Sequence, residues 1–143
     1  SALMTGSFEE VLDDAGVADP SEVRRVILAS GKVANEALAH RDAQGIRGAA
    51  VVRVEQLYPW PTQAVARAVV RYPNSTELVW LQEEPENMGA WNGVKGNLFR
   101  AHERTHSIER VSRVESGSPA SGSHQIHDQE KDQLFDEVFS GLS

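Results

Sequence analysis

Four apolar segments of strand length alternate with four segments of helical periodicity, and this alternation restricts the possible folds most strongly. The first three segments, 24–30, 48–55 and 78–82, carry apolar runs, and the fourth, 107–114, has apolar residues that alternate only loosely. About ten or more residues separate each segment from the next, and connections of that length join parallel strands through right-handed crossovers. The sequence therefore predicts an α/β fold: a three-layer α/β/α sandwich with a mostly parallel sheet of four to five strands.

The first 22 residues precede this alternation and are predicted to form a linker with one short helix. In residues 7–14, Ser7 and Glu10 have the spacing of a capping box, and the apolar residues share one helical face. Turn-forming residues follow. Residues 23–143 are therefore predicted to form the folded domain.

Composition excludes several classes of protein. The chain has 143 residues, a formal charge of −7 and no cysteine. The negative charge argues against a nucleic-acid binder, because phosphate contacts need a basic face. No apolar run approaches the roughly 20 residues that span a bilayer, and no signal peptide is recognisable. We expect a cytoplasmic protein with no nucleic-acid or membrane partner.

The third apolar segment ends in a loop that carries three acids. Glu83, Glu84 and Glu86 surround Pro85, and Gly89 closes the loop. Sites in open parallel sheets gather at the carboxyl ends of the strands, which favours a functional loop here. A solvated turn before a helix is the alternative. No complete catalytic set and no metal site can be assembled from the residues.

Ser30, Gly31 and Lys32 follow the first apolar segment, where a helix begins. Backbone N–H groups at a helix start, together with a lysine, are able to form an anion cradle. The P-loop pattern is missing, so a tight strand-to-helix turn is the simpler interpretation. His102 and His106 are predicted to be surface groups at the end of a helix.

Four blocks of sequence, taken together and in this order, resemble a known family. They closely resemble the C-terminal domain of the thiamine-diphosphate-dependent E1 component of 2-oxoglutarate dehydrogenase, a transketolase-like domain. The resemblance covers about residues 8–139. The blocks are residues 27–33 (ILASGKV), 52–61 (VRVEQLYPWP), 82–91 (QEEPENMGAW) and 118–124 (SPASGSH).

The resemblance implies a parent enzyme of the tricarboxylic acid cycle that oxidatively decarboxylates 2-oxoglutarate and transfers the succinyl group to the lipoyl arm of E2. It implies thiamine diphosphate and magnesium as cofactors, bound by preceding domains and not by this chain. The implied partners are those E1 domains, a second E1 subunit and the E2 dihydrolipoyl succinyltransferase. The fragment alone is expected to be inactive. The implied structural or domain-interface residues are Gln82, Glu83, Glu84, Asn87, Gly89 and Trp91.

Two departures from the family pattern matter. The family usually has glutamine where this chain has Met88, so any hydrogen bond from that amide is expected to be lost or taken over by water, with the loop shape set by Gly89 retained. Actinobacterial relatives carry an allosteric acetyl-CoA site, whose glutamine matches Gln56 and whose paired arginines correspond to Gln63 and Ala64. Its remaining positions correspond to Ser7 and Glu10. Loss of cations near an added acid disfavours a phosphate-rich ligand, so a degraded site with weak or absent acetyl-CoA binding is expected.

Two other functions stay open at this point. One is a stand-alone regulatory or nucleotide-binding α/β module. The other is the equivalent domain of another thiamine-dependent enzyme, such as a transketolase or a pyruvate or branched-chain E1.

Overall fold

The computed structural model describes residues 9–113 and 124–142, with only the backbone of residues 124–128. Within this part of the chain no helix combines the length and apolar character needed to cross a membrane. The strands are β1 (Val11–Leu12), β2 (Arg25–Ala29), β3 (Ala49–Val54), β4 (Glu77–Pro85) and β5 (Ser107–Arg113), and the helices are α1 (Lys32–Gln44), α2 (Thr62–Val70), α3 (Trp91–His102) and α4 (His124–Val138).

The strands form one sheet in the order β1-β3-β2-β4-β5. The pairs β2–β3, β2–β4 and β4–β5 are parallel, and only β1 is antiparallel to its neighbour. The predicted mostly parallel sheet is therefore confirmed. The four predicted strands lie close to their expected positions, although β4 continues three residues further, to Pro85.

Alternate residues of the central strand enter the two halves of the core. Val26 and Leu28 pack with α2 and α3 on one face of the sheet. Ile27 and Ala29 pack with α1 and α4 on the other face. Because both faces are covered, the four residues of this strand that follow Arg25 are all apolar and buried, which explains the continuous run in the sequence. The three-layer arrangement follows.

The short helix predicted at the N-terminus is wrong for its described residues, 9–14. Val11 and Leu12 instead pair with Val54 and Arg53 and add an edge strand to the sheet. The described part of the first 22 residues thus joins the sheet and does not act as a free linker. Where a domain boundary falls stays a prediction, and Ser7 lies outside the described residues.

A buried ion pair between Asp14 and Arg41 holds this N-terminal segment in place. Both side chains are almost completely buried, and they form two hydrogen bonds to one another. Asp14 also accepts from the backbone N–H of Val51 at 2.8 Å, and Arg41 donates to the carbonyl of Ala49 at 3.2 Å. A buried charge needs such partners, so the pair ties β1 and α1 to β3.

We predict that Asp14→Asn lowers the free energy of unfolding by about 3 kcal/mol, because it leaves the buried Arg41 charge without its full partner. Chemical denaturation measures the change. Glu22→Gln is the matched control: it breaks the exposed Arg47–Glu22 pair, which contributes at most about 1 kcal/mol. Equal effects of the two substitutions would contradict the assignment.

Candidate functional site

A cleft of about 580 Å³ lies at the carboxyl edge of the sheet. It opens there because the connections that follow β2 and β4, two adjacent strands, lead to helices on opposite faces. Such a switch point is the usual site of an open α/β sheet. The sequence-predicted residues that line it are Ser30, Gly31 and Lys32 on one side and Gln82, Glu83, Glu84 and Gly89 on the other.

The carboxamide of Gln82 organises the loop beside this cleft. Gln82 is 3% exposed. Its Oε1 accepts from the indole Nε1 of Trp80 and the backbone N–H of Trp91, both at 3.0 Å. The two hydrogens of its Nε2 are shared among three backbone carbonyls, those of Glu84, Pro85 and Met88, at N···O distances of 2.8–3.1 Å. One side chain therefore closes the entire loop.

The same carboxamide also marks where α3 begins. The residue before the helix, Ala90, makes no capping hydrogen bond with its side chain. The first helical N–H, that of Trp91, donates to Gln82 instead. An acceptor nine residues upstream thus replaces the local N-cap of an ordinary helix. Sequence analysis placed Gln82 in the motif but emphasised the acids, and the apolar strand that precedes Gln82 was the only signal of its burial.

Gly89 permits the tight closure of this loop. Its φ is +71°, in the left-handed region that favours glycine. A Cβ added there would lie 2.9 Å from Oε1 of Glu84 and 3.2 Å from Cδ of Gln82. Met88 enters the network only through its backbone, and its side chain is exposed. Loop closure therefore does not need the glutamine that the family usually has at that position.

The three acids of the loop differ in their contacts. Glu83 lies 3.5 Å from Nζ of Lys131 on α4. Glu86 pairs with Arg110 on β5 at 3.1 Å. Glu84 is exposed and forms no ion pair with another described residue. The acids do not form a buried pair, and the remaining loop residue of the predicted set, Asn87, is also exposed.

The predicted anion cradle stays a prediction. Gly31 precedes α1 with a φ of +71° and no side-chain cap, so N–H groups at the start of the helix are free of a local cap. Lys32 is exposed beside them. However, Glu83 and Glu84 line the opposite wall of the cleft and repel an anion. Within the described residues no group of three acids or histidines is arranged to hold a metal. The residues that line this cleft therefore do not fit a magnesium-bound diphosphate.

A second cleft, of about 520 Å³, contains part of the predicted allosteric set. Glu10, Gln56 and Ala64 line it, whereas Gln63 does not. Nε2 of Gln56 donates to Glu10 at 3.3 Å. The missing paired arginines are partly replaced by Arg67 on α2 and Arg71 directly after that helix, which sequence analysis did not identify.

Acids still outnumber cations around this second cleft. Glu9, Glu10 and Asp13 face the two arginines. Arg71 is already paired with Asp13 at 2.6 Å. A phosphate-rich ligand therefore meets excess negative charge. The expectation of weak or absent acetyl-CoA binding stays a prediction, now on the basis of this acid excess.

A histidine cluster lies at the opposite, amino edge of the sheet. His102 is buried, so its prediction as a surface group is wrong, and His106 is half-buried. The hydroxyl of Ser75 donates to the carbonyl of Tyr72, so it accepts from Nε2 of His106 at 2.9 Å. The hydroxyl of Thr105 lies 2.8 Å from Nδ1. Both ring nitrogens of His106 therefore have hydroxyl partners.

Burial lowers the pKa of both histidines, and the nearby His106 lowers that of His102 further. At a pH just below the unperturbed histidine pKa, His102 and His106 therefore bind fewer protons in the folded protein than in the unfolded chain.

Comparison with known proteins gives a consistent result. The family model described as "2-oxoglutarate dehydrogenase C-terminal" matches residues 1–139. The chain is 37% identical to the 2-oxoglutarate dehydrogenase E1 component of Haemophilus influenzae over 96% of its length, and 38% identical to that of Cupriavidus necator over 99%. It is 36% identical to the E1/E2 component of Corynebacterium glutamicum over 92%. The chain spans only 15%, 15% and 11% of these relatives.

We predict that Gly89→Ala destabilises the protein by about 2 kcal/mol, because alanine is strained at a positive φ and its Cβ contacts Glu84. Gly93→Ala is the matched control on α3, where an added Cβ meets nothing within 4 Å. It should stabilise the protein by about 0.5–1 kcal/mol. Thermal and chemical unfolding measure both, and effects of the same sign would refute the role given to Gly89.

We predict that the free energy of unfolding falls as the pH drops from well above about 6.5 to below it, because His102 and His106 take up protons in the unfolded chain and resist them in the folded protein. Unfolding free energies at pH 7.5, 6.5 and 5.5 measure the slope. The double variant His102→Gln, His106→Gln should show a shallower slope between these pH values. An unchanged slope in that variant would show that other groups cause it.

Proposed function

The chain belongs to the 2-oxoglutarate dehydrogenase C-terminal family, and we propose that it is the C-terminal structural and assembly domain of an E1 component. The parent enzyme would oxidatively decarboxylate 2-oxoglutarate and transfer the succinyl group to the lipoyl group of E2. The end-to-end match of residues 1–139 to the family carries this proposal. The reported relatives are all named for 2-oxoglutarate dehydrogenase, which favours this parent over a transketolase or a pyruvate E1.

In this proposal the domain supplies shape and contacts, and the preceding domains supply the chemistry. The acid-lined cleft does not suit a diphosphate, which supports cofactor binding elsewhere in the parent. Thiamine diphosphate would supply the carbanion chemistry there, with magnesium holding its diphosphate. The partners are those preceding domains, a second E1 subunit and the E2 dihydrolipoyl succinyltransferase, in the cytoplasm. A regulatory contribution is part of the same proposal.

The test compares the full-length protein with the purified 143-residue chain. Each is assayed for 2-oxoglutarate-dependent decarboxylation with thiamine diphosphate, magnesium and a lipoylated E2 domain. We expect turnover by the full-length protein and none by the chain alone, because the described residues provide no fitting cofactor site. Pyruvate serves as the control substrate and should be used much less efficiently.

Two outcomes would overturn the proposal. Turnover by the 143-residue chain would show a complete active site within it. A full-length protein that binds the cofactor but leaves 2-oxoglutarate unchanged would show that the parent has another activity.

A further inference from the structure

Three large apolar side chains are exposed at the carboxyl edge of the sheet. Tyr58 is 93% exposed, Met88 58% and Leu57 36%. Leu57 and Tyr58 follow β3, and Met88 lies in the loop after β4. Only β2 separates those strands, so they run side by side about 10 Å apart, and β4 continues three residues beyond the end of β3. We call these three residues, with the cleft that Leu57 lines, the carboxyl-edge face.

Tyr58 and Met88, the two most exposed of these residues on the carboxyl-edge face, are its apolar anchors. Each lies on a loop that is held in place by side-chain hydrogen bonds. Nε2 of Gln56 donates to the carbonyl of Pro59 at 2.8 Å, which closes the loop that carries Tyr58. Trp60, at the far end of that loop, packs edge-on against Trp80 with ring centroids 6.3 Å apart. Gln82 closes the loop that carries Met88. Rigid presentation lowers the entropy lost on docking, which is a property of a binding surface.

The charge of this face determines which kind of surface would complement it. Glu84 lines the cleft, is exposed, and has no ion-pair partner among the described residues. Its neighbours Glu83 and Glu86 are each paired within the domain. A docking partner that covers Tyr58 and Met88 also meets Glu84. A lysine or arginine of that partner, placed against Glu84, would complement the carboxyl-edge face best.

The size of the face favours one kind of occupant. Three such side chains bury a few hundred Å², well below the roughly 1,200 Å² of a stable complex between separate proteins. A covalently linked surface needs less contact area, because linkage gives it a high effective concentration. The relatives contain enough additional polypeptide to form such a surface, since the chain spans only 11–15% of their length.

From these observations we infer that the carboxyl-edge face is the docking surface for the preceding part of the same polypeptide. Tyr58 and Met88 are its apolar anchors, and Glu84 accepts from a cationic side chain of the docked surface. This inference rests on the proposed function only in requiring that residues precede Ser1 in the full-length protein.

Photo-crosslinking in the full-length protein tests the occupant. Benzoylphenylalanine replaces Tyr58, and the cross-linked peptides are identified by mass spectrometry. We expect cross-links within one polypeptide, to residues before Ser1. Val70 is the matched control, because it is 75% exposed but ends α2 and so lies at the amino edge. The same probe at Val70 should not give those products. Cross-links from position 58 to a second copy or a separate protein, or none, would overturn the inference.

Hydrogen exchange in full-length variants gives an independent readout. The double variant Tyr58→Ala, Met88→Ala should exchange backbone amides of residues 84–90 at least tenfold faster than the unsubstituted protein. Glu84→Gln should give a smaller increase. The control variant Val70→Ala, Phe99→Ala removes two large exposed apolar side chains that lie outside the carboxyl-edge face, and it should leave the rate unchanged. Equal rates in both double variants would contradict docking.

The results separate this inference from the proposed function. Upstream cross-links in a protein without 2-oxoglutarate turnover would retain the docking surface and reject the activity. Turnover without those cross-links would do the reverse. A full-length protein with nothing before Ser1 would reject both.

Discussion

Burial of one carboxamide determines the shape of the candidate site. Gln82 continues a strand of apolar side chains into a place that water does not reach, where an unpaired amide costs several times the thermal energy. The surrounding loop folds so that the oxygen and the nitrogen of that amide are both satisfied. The start of α3, the left-handed turn at Gly89 and the outward position of Met88 all follow from this requirement.

The buried pair of Asp14 and Arg41 has the equivalent role at the N-terminal edge. It also explains why local pattern gave the wrong element there. A capping box and three apolar residues on one face favour a helix when only near neighbours are considered. The partner that decides the outcome lies 27 residues away in the sequence. Burial of that pair and the backbone pairing of Val11 with Val54 outweigh the local preference for a helix.

Elsewhere in the molecule, too, local sequence patterns predicted the features that depend on near neighbours and missed those that depend on tertiary contacts. Continuous apolar strands, helical spacing and long connections were sufficient to predict the layers and the parallel sheet, because each is a repeated local property. The position of the cleft followed from the rule for strand ends. The role of Gln82, the two arginines of the second cleft and the burial of His102 were missed, since each depends on which elements the fold brings together.

The two loops at the carboxyl edge are held through main-chain carbonyls, by Gln56 in one case and Gln82 in the other. The outward residues at positions 58 and 88 take no part in that support with their side chains. Evolution is therefore free to exchange these two residues while the framework beneath them keeps its conformation. We therefore expect residues 58 and 88 to covary with the surface that docks against them. They should vary independently of the residues in the interior of the domain.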